Sequence, residues 1–146
     1  RFHASGDIQH HRHLLNIMQV AARRPLMRFW LPTHEPYIVH DVLANYVRPD
    51  NLTIRISADA IGSRPDYNLP WYANELPRSM VHHDYGDPPS GVYECRAHDR
   101  DNECGRCRAC WSPNADVVSY TKTRAGGRIN GTGRRSPQLR LFQEIA

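Results

Sequence analysis

Four cysteines lie within sixteen residues of this 146-residue chain, and it contains no others. They are Cys95, Cys104, Cys107 and Cys110, in the pattern C-x8-C-x2-C-x2-C. Thiolates this close in sequence can all reach one metal ion or cluster, and a segment that holds one is constrained to fold around it. The cysteines indicate a type of cofactor more clearly than a function, and the sequence establishes no reaction.

Three kinds of chemistry compete for these thiols. A disulfide needs an oxidising compartment, and the sequence carries no secretion signal. Four thiolates would satisfy a structural zinc ion, and the segment from Cys104 to Cys107 resembles a zinc knuckle. A C-x2-C-x2-C run with one distant cysteine is also typical of a 4Fe–4S cluster. We therefore expect all four cysteines to form one metal site, holding a 4Fe–4S cluster or, as the alternative, one structural Zn²⁺.

Strand-like and helix-like segments alternate along the front of the chain. Apolar residues recur at helical spacing after Asp7, a plausible N-cap, and Pro25 stops that helix. The predicted elements are a strand over residues 1–5, a helix after Asp7, a strand over 26–31, a helix from Pro36 to Pro49, and a period-two strand over 52–57. This order favours a parallel sheet with right-handed crossovers.

The predicted fold class is α/β, with a partial, half-barrel-like parallel βα sheet. Residues 1–61 are expected to form the βαβαβ core. Residues 62–123 follow as a loop-rich metal-binding segment of the same domain, ending in a short strand near Val117, and residues 124–146 form a basic, flexible tail.

Polar residues follow each predicted strand of the front half. In parallel sheets the residues just past the carboxyl ends of the strands line the ligand site. We therefore expect one crevice, with Ser5, Asp7, Ser57 and Asp59 as its cofactor-binding residues and His34 and Glu35 beside them. Such a crevice would bind substrate or nucleotide. The alternative is that these residues only cap helices and form turns.

Charge and hydropathy restrict the partners of the chain only weakly. The formal net charge is +4 and the isoelectric point is near 9.1, which permits attraction to anions without establishing nucleic-acid binding. No apolar run approaches the length needed to span a membrane. We expect a protein or nucleic-acid partner, no membrane association and a cytoplasmic location, and the oligomeric state stays open.

Several strings along the chain, taken in order, resemble a known family. The most specific of them runs from Cys104 to Trp111, with the pattern C-G-x-C-x-A-C-W. It is preceded by F-H-A-S-G-D at residues 2–7, R-F-W-L at 28–31 and N-L-T-I-R-I-S at 51–57, and it is followed by V-S-Y-T-K at 118–122. This order is similar to the phage gene product eighty-eight family, found in phage and mobile-element proteins.

The resemblance implies an arrangement similar to radical S-adenosylmethionine proteins, which use a partial or full βα barrel. Members of the family usually carry an earlier cysteine cluster, which this chain lacks. The resemblance therefore implies the C-terminal part of such a barrel, with the four cysteines as an auxiliary metal site. The leading hypothesis is a phage or mobile-element binding module with a structural metal site. The alternative is a fragment or subunit of an iron–sulfur enzyme.

Overall fold

The computed structural model describes residues 1–3, 5–65, 75–83 and 89–122. The predicted basic tail at 124–146 lies outside them. Helices α1 and α2 span His11–Ala22 and Pro36–Leu43. The strands are β1 (Phe29–Thr33), β2 (Leu52–Ser57), β3 (Arg78–His83), β4 (Tyr93–Cys95) and β5 (Val117–Lys122).

The five strands form one sheet in the order β1-β2-β3-β5-β4, and every neighbouring pair is parallel. Parallel neighbours need crossover connections, which α2 supplies between β1 and β2. The prediction of an α/β protein with a parallel sheet is therefore confirmed. The half-barrel form is a finer prediction, which these pairings do not establish.

One face of the sheet is covered by the two helices. The apolar side chains of α1 and α2 meet those of β1 and β2 there, because both helices are apolar along one stripe. The buried members of this helix-side core are Ile8, Leu14, Ile17, Met18, Ala21, Leu31, Val39, Val42, Leu52, Ile54, Ile56 and Leu76. It contains no cysteine.

The opposite face carries the cysteine segment. Its core is a second cluster of Trp30, Cys110 and Val118, with Cys95, Trp111 and Tyr120 packed at its margin. Strand β2 is therefore buried on both faces, and all of its residues except Ser57 are buried. This second cluster connects the cysteine segment to the sheet.

Two predicted boundaries at the amino terminus differ from the structure. Residues 1–3 and Ser5 form no strand, although Phe2 donates a backbone hydrogen bond to Trp30 at 2.9 Å. Helix α1 is capped by His10, whose Nδ1 accepts from the backbone N–H of His13 at 3.1 Å. Asp7 does not cap this helix because other donors occupy its carboxylate.

The sequence patterns also missed two strands. Strand β3 includes the polar residues Arg78, Ser79, His82 and His83, so its sequence shows no clear apolar pattern. Strand β4 has only three residues. Both are held by parallel pairing with β5, a long-range contact that local periodicity cannot report.

Candidate metal centre and adjoining cavity

The four cysteines lie along a segment that starts at the edge of the sheet and returns across its face. Cys95 ends strand β4, and its partner across the pairing is Tyr120. Cys104 and Cys107 are joined by a tight turn, in which the N–H of Cys107 donates to the carbonyl of Cys104 at 3.0 Å. Cys110 lies in a 3₁₀ turn, Ala109–Trp111, and is 5% exposed. Only this last thiol is buried.

The thiols of Cys107 and Cys110 differ in acidity because their surroundings differ. Burial raises the pKa of Cys110, although its hydrogen bond with Tyr120 and the charge of Arg55 act in the opposite direction. The pKa of Cys107 is lowered, chiefly by its hydrogen bond with the hydroxyl of Tyr93 at 3.3 Å. Cys107 is therefore the more readily ionised of the two.

Arg55 is a buried cation beneath the cysteine segment. Its side chain is 0% exposed, and burial lowers its pKa. The guanidinium donates to the carbonyl oxygens of Ala109 at 3.1 Å and Ser112 at 3.0 Å on one side. It also donates to the carbonyls of Arg78 at 2.6 Å and Asp116 at 3.3 Å. Arg55 thus fastens the turn that carries Cys110 to the centre of the sheet.

Two buried N–H donors on this face lack an acceptor among the described residues. They are Nε of Arg55 and Nε1 of the indole of Trp30. Arg55 also forms no salt bridge with a described residue. Buried donors normally have an acceptor, since leaving a buried donor without one costs about 1–3 kcal/mol. This face therefore holds one buried positive charge and two unused donors, with no anionic acceptor for them among the described residues.

The predicted metal site is not assembled in this structure. Among the described residues, which include all four cysteines, no group of three or more Cys, His, Asp or Glu side chains is arranged to hold a metal ion. The four thiols are on one segment, and Cys95 and Cys110 belong to the same cluster around Trp30. The prediction that all four bind one metal stays a prediction.

A cavity of about 380 Å³ opens at the carboxyl edge of the sheet. The structure brings the predicted crevice residues Ser5, Asp7 and Ser57 into its wall, together with His34. Asp59 is near it through an ion pair with His34 at 3.5 Å, between two exposed side chains, and Glu35 is not in the wall. The remaining lining residues are Arg1, His3, Gly6, Trp30, Pro32, Thr33, Ala58, Ser79, Met80, Val81 and Tyr120.

Asp7 supports the cavity wall by joining two loops. Its Oδ1 accepts from the hydroxyl of Thr33 at 2.5 Å and from the N–H of Ile8 at 2.7 Å. Its Oδ2 accepts from the N–H of His34 at 2.7 Å. Because both carboxylate oxygens are occupied, the side chain positions the end of β1. It is not a free ligand in this arrangement.

Tyr120 connects the cavity to the cysteines. Its ring lines the cavity, and its hydroxyl is 3.2 Å from the sulfur of Cys110. Burial raises the pKa of this phenol, so it stays protonated and can donate to sulfur. Neither Tyr120 nor Arg55 was predicted as a site residue. The signal that was available for Arg55 is its place between two isoleucines in a buried strand.

The other face of β3 and β5 carries a buried polar network. His82 is 6% exposed, and its Nδ1 is 2.6 Å from the hydroxyl of Ser119, which is fully buried. Its Nε2 is 3.5 Å from Thr121 and 3.8 Å from a carboxylate oxygen of Glu94. The histidine is thus partnered on both nitrogens, and its role is to tie three neighbouring strands.

The fold and this segment define an α/β protein with an all-parallel sheet and a cysteine-rich loop docked on one face. A family model described as Gene product 88 matches residues 1–136, and the chain belongs to that phage family. No curated protein and no solved structure matches the chain. Within the described residues, no helix is long and apolar enough to cross a membrane.

Proposed function

We propose that this phage-family protein binds one metal centre through Cys95, Cys104, Cys107 and Cys110, and that the centre is structural. A bound metal would lock the cysteine segment onto the open face of the sheet and present that face to a partner. Four thiolates complete the coordination of such a centre, so no position is left for substrate.

The observation that carries this proposal is the buried guanidinium of Arg55. A cation that is 0% exposed and has no salt bridge among the described residues costs several kcal/mol to bury, and its four carbonyl hydrogen bonds offset that cost only in part. A thiolate site is anionic, and Cys110 is close enough to Arg55 for each to shift the pKa of the other. An anionic metal–thiolate centre would supply the missing charge.

The two orphan donors favour an iron–sulfur cluster over zinc. A cluster presents inorganic sulfides in addition to its cysteine sulfurs, and N–H groups that donate to sulfur tune its potential. Trp30 and Arg55 each hold one unused N–H on the face where Cys110 is buried. A zinc ion would offer only the cysteine sulfurs. We therefore favour a 4Fe–4S cluster and retain one structural Zn²⁺ as the alternative.

The test is metal and sulfide analysis of protein purified without oxygen, together with its visible spectrum. We expect a brown protein with iron and acid-labile sulfide, or, under the alternative, a colourless protein with one zinc per chain. Cys107→Ser should reduce the metal content strongly. Arg106→Ser is the matched control, since Arg106 is exposed on the same segment and its loss should leave the metal in place. Wild-type protein that binds neither metal would refute the proposal.

A second candidate function is that of a subunit of an iron–sulfur enzyme, and the position of Tyr120 favours it. This residue borders the cavity and also hydrogen-bonds to Cys110, so electrons or protons could pass between a cluster and a bound molecule. Ser5, Asp7, Ser57 and Asp59 would then belong to the substrate or nucleotide site. A zinc-only protein would exclude this candidate, because zinc has no redox chemistry.

A redox cluster beside the cavity would respond to a change in the cavity wall. Ser57→Leu narrows the cavity without touching a cysteine. Under the enzyme alternative, this variant should keep its iron but show an altered electron paramagnetic resonance spectrum after reduction. An unchanged spectrum would favour the structural role.

The basic sequence 124–146 is the basis for proposing a nucleic-acid partner, and it lies outside the described residues. A salt-sensitive gel shift that is lost when residues 124–146 are deleted would support this. A shift that survives the deletion would contradict a role for the tail.

A further inference from the structure

A surface at the amino edge of the sheet combines exposed apolar side chains with exposed arginines. It is formed by the loop at residues 23–28 and by Tyr46 and Val47 in the loop after α2, and we call it the amino-edge patch. Leu26 is 99% exposed and Val47 is 93% exposed, and Met27 and Tyr46 are each more than half exposed. Contiguous exposed apolar residues mark interaction sites more often than scattered ones do.

The loop of the amino-edge patch is held in place by Asn51. The side-chain amide of Asn51 donates to the carbonyls of Ala21 at 3.0 Å, Arg24 at 2.9 Å and Met27 at 2.8 Å. The backbone carbonyl of Asn51 also accepts from the N–H of Phe29 at 2.7 Å. These bonds fix the loop against the start of β2, so a partner would have little ordering cost to overcome on this side.

A groove of about 450 Å³ lies beside Tyr46 and Val47. Its wall includes Leu43, Tyr46, Val47 and the buried Leu76, with Arg48 and Glu75 at polar positions. The wall is mixed in polarity, and its apolar members can contact one or two apolar side chains of a partner.

The charged residues of the patch are arginines, and the adjoining groove also contains Glu75. Arg23, Arg24 and Arg28 are all exposed, and none of them forms a salt bridge with a described residue. Three cations around an apolar centre match a ligand that carries carboxylates around apolar side chains. They also disfavour a second copy of the same patch, because two copies would bring like charges together.

We propose that the amino-edge patch binds an acidic segment of a partner protein that carries leucine-like side chains. Its carboxylates pair with the three arginines, and its apolar side chains cover Leu26 and Val47 and enter the groove. A phosphate backbone would use the arginines but leave the apolar side chains in water. An anionic membrane would contact the arginines, but its flat surface would leave the groove unfilled.

The experiment measures fluorescence anisotropy of three labelled peptides with the full chain. The first peptide alternates leucine with glutamate, the second has serine in place of leucine, and the third has lysine in place of glutamate. The first should bind saturably and weaken as salt is added, and the other two should bind at least about tenfold more weakly. A labelled DNA duplex and vesicles of anionic phospholipid are measured in parallel.

Two double variants test the location, and one matched control tests specificity. Arg24→Ser with Arg28→Ser, and Leu26→Ser with Val47→Ser, should each weaken the first peptide by about tenfold or more. Arg12→Ser with Ile61→Ser removes one exposed arginine and one exposed apolar residue away from the patch, and it should bind like the wild type. All the changed side chains are exposed, and unchanged melting temperatures will show that the variants are folded.

The proposal would be overturned if the first peptide did not bind, or if the control variant lost binding as much as the two double variants of the patch. Binding of only the duplex or only the vesicles would assign the patch to nucleic acid or lipid. Self-association of the wild type that is lost in the double variant Leu26→Ser with Val47→Ser would assign it to a second copy. The patch contains no cysteine, so these results are independent of the metal analysis.

Discussion

Replacing Arg55 by methionine separates two roles of the residue, as a staple for the cysteine turn and as the counter-charge of a metal centre. Methionine retains most of the side-chain volume and removes the charge and all of the donors. The variant should lose stability in the metal-free protein and should lose more in the metal-loaded protein. Only the second effect bears on the metal.

The loss in the metal-free protein follows from the four hydrogen bonds of the guanidinium. Hydrogen bonds to charged groups contribute about 1.5–3 kcal/mol each. Two of these four carbonyls would still accept a hydrogen bond in the variant. The carbonyl of Asp116 also accepts from the N–H of Arg78, and that of Ala109 from the N–H of Ser112. The variant also relieves the cost of burying a cation, which is several kcal/mol. We therefore expect a net loss of about 3 kcal/mol, or a fall in melting temperature of about 10 °C.

The assay is urea unfolding of metal-free and metal-loaded protein, with metal affinity measured by competition against a chelator. We expect the affinity for the metal to fall by at least about tenfold in Arg55→Met, because the cation next to Cys110 is lost. Arg48→Met is the matched control. Arg48 is only partly buried and donates to the carbonyl of Leu52, so its replacement should lower stability without changing the affinity for the metal.

One result would refute the counter-charge argument. If Arg55→Met lowered stability by the same amount with and without metal, and left the affinity unchanged, Arg55 would be only a staple. The buried donors would then need another explanation.

Three further predictions concern other groups. Asp7→Asn should lower the free energy of unfolding in urea by about 2 kcal/mol, because its amide would turn a donor toward the N–H of His34. Asp59→Asn, in an exposed pair, should lower it by less than about 0.5 kcal/mol, and equal losses would contradict the positioning role of Asp7. In metal-free protein, iodoacetamide should modify Cys107 before Cys110, because the pKa of Cys107 is lowered and that of Cys110 is raised. Bound metal should protect both thiols. Mass spectrometry of the digested protein gives the order of modification, and the reverse order would contradict the assignment. Burial lowers the pKa of His3 below 6.5 in the folded protein. As the pH falls, the unfolded chain therefore binds a proton at this residue before the folded protein does. Stability should therefore decline below about pH 6.5, and His3→Asn should reduce that decline; an identical pH profile for the variant would show that His3 does not contribute.

The sequence predicted those parts of the fold that local patterns specify. The β-rich alternation of residues 52–57 corresponds to β2, and Pro36 starts α2 at its first turn. The crevice residues were also found from the order of the elements, because the carboxyl ends of parallel strands meet at one edge. Their ligand could not be predicted, since the carboxylate of Asp7 is occupied by the protein itself.

The parts that the sequence did not predict depend on contacts across the sheet. Period-two alternation in β2 suggests one apolar face and one face in water. Thr53 and Arg55 instead lie under the cysteine segment, where Thr53 donates to the carbonyl of Trp111 at 2.9 Å. Only the position of residues 109–116 relative to the sheet reveals that these polar side chains are buried partners. Strands β3 and β4 were missed for a similar reason.

The two cores of the molecule make different demands on the metal. The helix-side core contains no cysteine and closes over β1 and β2 chiefly by apolar burial. The cluster around Trp30 includes Cys110, and the turn that carries it is tied to the sheet by polar bonds from Arg55, Thr53 and Tyr120. A metal held by the four cysteines would therefore act on the second cluster first. Its removal should loosen the cysteine segment while the helix-side core persists, unlike a small zinc finger that unfolds as a whole without its metal.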